Sequence, residues 1–125
     1  MTENEISYKI RAAIFRVYKN LGPGLLESVY EAALMYELEK EGLKAKNQVP
    51  IPVFYEDIKM DVGFRADIIV EDKVIIENKS TENITKVHHK IVLTYLKLTG
   101  LKLAIMVNFC TDDIKRSIYR KVYNL

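Results

Sequence analysis

The sequence contains little cysteine or histidine, no long apolar segment and no strong excess of either charge. Its single cysteine, Cys110, excludes an intrachain disulfide, and no set of cysteines and histidines has the spacing of a zinc site. Because no apolar run approaches the roughly 20 residues that span a bilayer, the sequence predicts no membrane helix. The first five residues lack the basic region and apolar core of a signal peptide. We therefore expect a protein of the reducing cytoplasm.

The charges are nearly balanced, with a formal net charge of +2. This balance does not by itself indicate a nucleic-acid partner, although a local basic patch could bind phosphates. The length of 125 residues suffices for one domain, and we expect residues 1–125 to form it. No repeat, low-complexity tract or linker divides the chain.

The hydrophobic periodicity predicts four helices and four strands. The helical segments are 4–20, 25–41, about 84–98 and 113–123. The strands are 48–55, two runs within 59–79, and 101–107. The resulting order is α-α-β-β-β-α-β-α, which predicts an α/β protein with a small mixed β-sheet flanked by helices.

Three charged residues, Asp67, Glu77 and Lys79, lie inside the two apolar runs of the central hairpin. A half-buried strand resists charge, because desolvating an unpaired ion costs several kcal/mol, so these groups need a partner, a metal or a chemical role. If the turn is Glu71-Asp72-Lys73, Asp67 lies directly opposite Glu77. Such side chains are about 5 Å apart at Cβ, close enough to share one divalent cation. A two-residue turn would break this site.

The alternation of side chains predicts which hairpin residues share a face of the sheet. One face of the first strand carries Val62, Phe64, Ala66, Ile68 and Val70. The opposite face carries Arg65, Asp67 and Ile69. On the second strand Glu77 and Lys79 share a face. The Asn78 side chain points away from them, which leaves its backbone carbonyl as a candidate metal ligand.

An acid on one strand, and an acid two residues before a lysine on the next, are groups that can hydrolyse a phosphodiester. Asp67 and Glu77 would bind Mg²⁺ or Mn²⁺, hard cations that prefer carboxylate and water oxygens. The metal would activate a water and stabilise charge on the phosphate. Lys79 would orient that water or offset negative charge. Glu27 would complete the metal shell if the second helix packs across the sheet, although the helix dipole alone also explains an acid there.

Four further residues are candidates for contact with a substrate: Tyr30, Arg65, His88 and Tyr95. The two tyrosines are also explained as packing residues with tethered hydroxyls. Arg65 could instead pair with an acid of the hairpin, and His88 could be a solvated helix residue. The competing interpretation of the whole hairpin is a surface turn with ordinary solvated charges.

The order of these motifs resembles that of the GxxExxY proteins, a branch of the PD-(D/E)XK nuclease superfamily. The motif that gives the branch its name is Gly24-Leu25-Leu26-Glu27-Ser28-Val29-Tyr30, and the nuclease motif runs from Asp67 to Glu77-Asn78-Lys79. Further matches are 48–53, 94–97 and Asn108-Phe109. The resemblance covers the chain from about Ile6 to Phe109.

The resemblance implies a restriction-endonuclease-like fold and metal-dependent cleavage of nucleic acid, DNA in preference to RNA. It assigns Asp67, Glu77 and Lys79 to the catalytic core and Glu27 to the role of an accessory acid. Relatives usually carry a glutamine where this chain has Ile91. This departure leaves a second function open, that of a catalytically inactive nucleic-acid-binding or structural module, and a homodimer is a further expectation.

Overall fold

The computed structural model describes residues 1–125 apart from the side chain of Val62, so the predicted face of Val62 lies outside the described residues. The helices are α1 (Glu3–Leu21), α2 (Glu27–Lys40) and α3 (Lys86–Thr99). The strands are β1 (Ala45–Tyr55), β2 (Ile58–Val70), β3 (Val74–Lys79), β4 (Leu103–Asn108) and β5 (Ile118–Val122). A short 3-10 helix spans Ile114–Ser117.

The strands form one sheet in the order β1-β2-β3-β4-β5. β3 and β4 run parallel, and the other neighbours run antiparallel. A parallel pair needs a crossover connection, which α3 supplies between β3 and β4. The predicted α/β class, with a mixed sheet and flanking helices, is confirmed.

Helices cover both faces of the sheet. α1 and α2 pack on one face, where Ile14 and Leu34 belong to the same core as Ile76. α3 packs on the other face, where Val92 lies in a second core with Ile75. Every residue of β4 is buried, as the nearly continuous apolar run of that strand predicted. No helix in the described part of the chain is long and apolar enough to cross a membrane.

The hairpin of β2 and β3 has the predicted three-residue turn. Val70 pairs with Val74, and Ile68 pairs with Ile76. Extending this register by one residue places Asp67 opposite Glu77, at the point where regular pairing ends. The odd-length turn therefore brings the two predicted acids to the same end of the hairpin.

The predicted single face of β2 is wrong, because the alternation of side chains breaks at Asp67. Ile68 and Val70 pack against α1 and α2. Phe64 and Ala66 instead belong to the core on the α3 face. The apolar side chains Phe64 and Ala66, before Asp67, therefore point to the opposite face of the sheet from Ile68 and Val70, after it.

The cause of this change lies in the neighbouring strand. Asn47 pairs with Ile68 and Val49 with Ala66, so the residue between them, Gln48, faces the break in β2. Gln48 has a φ of 50°, which is outside the extended region of backbone conformation. A strand pair with such a residue cannot keep a regular pleat.

The predicted helix over 113–123 is also wrong, since β5 follows the single 3-10 turn and pairs antiparallel with β4. Ile114, Ile118 and Val122 recur every four residues. That spacing fits one side of a helix, but an even spacing also fits one face of a strand. β5 covers the backbone groups of β4 that would otherwise form an unpaired sheet edge.

α3 begins with a capping box at Thr85. The Thr85 hydroxyl accepts a hydrogen bond from the His88 N–H at 3.3 Å, and His88 Nδ1 accepts one from the Thr85 N–H at 3.0 Å. Val92 is buried. Val87 and Ile91 are apolar like Val92 but are 60% and 39% exposed, because only a narrow stripe of α3 meets the sheet.

Candidate active site

Asp67 and Glu77, hereafter the carboxylate pair, lie where β2 and β3 separate. The Asn78 N–H donates to Asp67 Oδ2 at 3.0 Å, and the Asp67 N–H donates to Glu77 Oε1 at 3.3 Å. These bonds follow the last regular pair of the ladder, Ile68 with Ile76. Each carboxylate is thus fixed by the backbone of the opposite strand.

Both groups of the carboxylate pair are costly to ionise in this position. Burial, and after it the charge of Asp67, raises the pKa of Glu77 to about 8. Burial raises the pKa of Asp67 to about 6, although its bond to the Asn78 N–H acts in the opposite direction. A nearby cation would favour the charged form of both groups. The pair therefore has the electrostatic character of a site that binds a positive ion.

Lys79 is the last residue of β3 and is half-buried. Its charge opposes the effect of burial on the pKa of both members of the carboxylate pair. Asn78 is 1% exposed, and its Oδ1 has no hydrogen-bond partner within the described part of the chain. Lys79 is thus a basic residue whose charge acts against burial to lower the pKa of both Asp67 and Glu77.

Glu27 begins α2, and its carboxylate accepts a hydrogen bond from the Ser80 N–H at 3.1 Å. Burial is the main cause of the raised pKa values of the carboxylate pair, and the charge of Glu27 adds to it. Among the described residues, no three or more histidine, cysteine, aspartate or glutamate side chains form a group that could hold a metal ion. Glu27 is therefore near the carboxylate pair without forming a three-carboxylate group with it.

The four candidates for substrate contact occupy different environments. Tyr30 is fully buried, which favours its interpretation as a packing residue. Arg65 is exposed, and no ion pair among the described residues joins it to Asp67. His88 is engaged in the capping box of α3. Of the four, Tyr95 is the residue whose pKa is altered by burial and by the charges of the carboxylate pair.

Tyr95 is half-buried, and its ring stacks on that of Phe64 with 3.8 Å between the ring centroids. Burial raises the pKa of its hydroxyl, and the charges of Glu77 and Asp67 add to this effect. The hydroxyl therefore stays protonated near the carboxylate pair and can donate a hydrogen bond.

Glu31 has a place beside the site that the sequence analysis did not assign. Its carboxylate accepts hydrogen bonds from Asn47 Nδ2 at 3.2 Å and from Gln48 Nε2 at 2.7 Å. After burial and the bond to Asn78, its charge is the next cause of the altered pKa of Asp67. The signal available in the sequence was its position one helical turn after Glu27.

Comparison with known proteins identifies the family of the chain. A family model described as the PD-(D/E)XK nuclease superfamily matches residues 4–121. Neither the curated proteins nor the solved structures that were compared gave a match. The assignment to the GxxExxY branch remains a prediction. Because the match spans almost the whole chain, the protein belongs to the PD-(D/E)XK nuclease superfamily.

Proposed function

We propose that the protein is a metal-dependent nuclease that hydrolyses phosphodiester bonds in nucleic acid, DNA in preference to RNA. The observation that carries this proposal is the carboxylate pair, fixed by the opposite strand and hard to ionise without a cation. Perturbed pKa values of this kind concentrate at functional sites. We further propose that residues 1–125 form one nuclease domain that acts in the cytoplasm.

The donor groups of the carboxylate pair fit Mg²⁺ or Mn²⁺. These ions prefer carboxylate oxygens, and Mg²⁺ commonly uses one or two carboxylates together with waters and substrate phosphates. Asp67 and Glu77 would hold the ion, and the Asn78 carbonyl is a further proposed ligand. When bound, the ion would lower the pKa of a water and stabilise charge on the phosphate.

Lys79 and Tyr95 would act on the substrate directly. The Lys79 ammonium would orient the attacking water or offset the negative charge that develops on the phosphate. The protonated Tyr95 hydroxyl would donate to a phosphate oxygen. Both roles are consistent with the electrostatic link of each residue to the carboxylate pair.

A second candidate function is a nucleic-acid-binding module without turnover. Ile91 favours it, because this residue is 39% exposed on α3 and offers no hydrogen-bonding group to a substrate or a water. Ile91 precedes Tyr95 by one helical turn, so the two side chains lie on the same side of α3. In this case the carboxylate pair would persist while a substrate contact has been lost.

The decisive experiment is a cleavage assay with labelled single- and double-stranded DNA and with RNA, in Mg²⁺, Mn²⁺ or EDTA. The variants are Glu77→Ala, Lys79→Ala and Ile91→Gln. Asp72→Ala and Lys46→Ala are matched controls. They remove an acid and a lysine that are 83% and 70% exposed and joined by a 3.6 Å ion pair, and such surface pairs contribute little to stability.

Metal-dependent cleavage that is lost in Glu77→Ala and Lys79→Ala but kept in both controls would support the nuclease. Cleavage by Ile91→Gln alone would support the inactive binding module, with an intact metal site and one missing substrate contact. If no variant cleaves and calorimetry detects no Mn²⁺ binding to the wild type, the nuclease proposal is overturned.

A further inference from the structure

The chain immediately after β3 is held by the loop that precedes α2. The Ser80 N–H donates to Glu27 Oε2 at 3.1 Å, and Ser80 Oγ donates to the Leu25 carbonyl at 2.8 Å. Ser80 follows Lys79 directly, so these bonds restrain the backbone on one side of the candidate catalytic lysine. Glu27 thus acts as a hydrogen-bond acceptor for this segment.

Tyr30 connects the same loop to the carbonyl of the same Lys79–Ser80 peptide group. Its hydroxyl donates to the Gly22 carbonyl at 2.6 Å and accepts from the Leu25 N–H at 3.2 Å. Its ring stacks on Phe109, with 4.2 Å between centroids and an interplanar angle of 3°. The Phe109 N–H donates to the Lys79 carbonyl at 2.8 Å. A single buried side chain therefore fixes both the loop and the residue that binds the Lys79 backbone.

Asn108 extends this restraint by one more residue. Its Nδ2 donates to the Thr81 carbonyl at 2.8 Å, and the Thr81 N–H donates to its Oδ1 at 3.1 Å. Asn108 is 5% exposed, so these bonds are protected from water. The side-chain amide continues the pairing of β3 with β4 beyond the last residue of β3.

We propose that Glu27 and Tyr30 are positioning residues that hold Lys79 against the carboxylate pair, and that Glu27 does not bind the metal. Together with Leu25, Asn108 and Phe109 they form what we call the Lys79 brace. This inference rests on the proposed nuclease function, since it assigns roles toward the same reaction. The Lys79 brace gives a physical reason for the spacing of the loop 22–24, Glu27 and Tyr30 in the sequence.

The Lys79 brace would raise kcat by restraining the backbone of Lys79, because the backbone at a strand end is mobile unless other segments hold it. Catalysis depends on placement, and an error of about 1 Å can cost about 100-fold in rate. Glu27→Ala removes the acceptor of the Ser80 N–H. Glu27→Gln keeps a side-chain carbonyl that can accept the same bond, but it removes the negative charge that a metal ligand would supply.

The test therefore compares Glu27→Gln with Glu27→Ala in the full chain. Four quantities are measured: the Mn²⁺ dissociation constant by calorimetry, kcat and KM for cleavage, and the hydrogen-exchange rate of the Ser80 amide by NMR. Glu31→Gln is the matched control. It removes a charge that also influences Asp67, from a residue bonded to Asn47 and Gln48.

The brace predicts that Glu27→Ala lowers kcat by about 10- to 100-fold and lowers Mn²⁺ affinity no more than the control Glu31→Gln does. Its Ser80 amide should exchange about tenfold faster or more, as expected for loss of a hydrogen bond to a charged group. Glu27→Gln should restore both kcat and slow exchange. Glu31→Gln should leave Ser80 exchange at the wild-type rate.

A loss of Mn²⁺ affinity in both Glu27 variants that is at least about tenfold larger than the loss in Glu31→Gln would overturn the inference and make Glu27 a metal ligand. Wild-type kcat and Ser80 exchange in Glu27→Ala would overturn it as well. If the wild type neither cleaves nor binds Mn²⁺, the nuclease proposal fails first. The Ser80 exchange rates then decide separately whether Glu27 restrains the chain after Lys79.

Discussion

The two ends of the β2–β3 hairpin differ in what fills the space between the strands. At the turn end, Val70 and Val74 are fully buried and begin a regular ladder. At the open end, the ladder stops and the carboxylate pair accepts the backbone N–H groups instead. The comparison shows that a strand pair can provide apolar stability at one end and ionisable groups at the other, provided that the strands part between them.

The largest expected effect is on the stability of the turn end. We expect Ile75→Ala to lower the free energy of unfolding by about 2–5 kcal/mol, because it removes buried methyl groups and leaves a cavity. Denaturant unfolding measures this loss. Ile58→Ala is the matched control, because Ile58 is 62% exposed, and it should change stability by about 0.5 kcal/mol at most. Similar losses in the two variants would remove the distinction between the ends.

The next prediction is an effect of opposite sign at the open end. We expect Glu77→Gln to abolish Mn²⁺ binding and cleavage, yet to make the metal-free protein at least as stable as the wild type at pH 9. The buried carboxylate costs stability when it is ionised, and the amide does not carry that cost. Calorimetry and thermal unfolding in EDTA test both parts. A lower melting temperature than the wild type would show that the carboxylate stabilises this end.

The pH dependence of the metal-free protein sharpens the same comparison. The pKa of Glu77 is raised from 4.5 to about 8, mainly by burial, so the folded state binds more protons than the unfolded state between these values. Stability should therefore be highest below about pH 4.5 for this group and should fall as the pH rises through 8. The pKa of Asp67 is raised from 3.8 to about 6, so its titration changes stability in the same direction.

We expect the melting temperature of the wild type in EDTA to fall as the pH rises, and that of Glu77→Gln to fall less steeply. When Mg²⁺ is added, the melting temperature of the wild type should rise with pH instead. The reversal follows because the ion binds the charged form of the folded protein. A slope that is identical in the wild type and in Glu77→Gln would show that other groups cause it.

The smallest expected effect concerns the helix that follows the open end. Thr85→Ala removes the hydroxyl that caps α3, which should cost about 1 kcal/mol. Cleavage per folded molecule should not change, and a comparison of unfolding with kcat tests this. A larger loss of cleavage than of folded protein would instead give the capping partner His88 a role toward the substrate.

The hairpin was predictable because two apolar runs flank a short polar turn, and the requirement that Asp67 lie opposite Glu77 selected the three-residue turn. The same spacing located the candidate acids and lysine. The break in alternation at Asp67 could not be read from β2, because Ala66 is small enough for either face. It depends on the left-handed backbone of Gln48 in the neighbouring strand.

The C-terminal segment shows a different limit. Ile118 and Val122 have a spacing that fits both a helix and a strand, and only the unpaired edge of β4 decides between them. The hydrogen bond between Glu27 and Ser80 shows a third limit of prediction from sequence. The two residues are 53 positions apart, and no local sequence pattern predicts which backbone N–H a carboxylate will bind.

The distance in sequence between the parts of the brace also orders the events of folding. β2 and β3 meet across a three-residue turn, whereas the brace joins segments 53 positions apart. Short loops close first, since the entropy cost of closure and the time for a contact to form rise with its separation in sequence. We expect a refolding chain to assemble its carboxylate pair early and to secure Lys79 last. The gain of activity should then lag behind the gain of secondary structure.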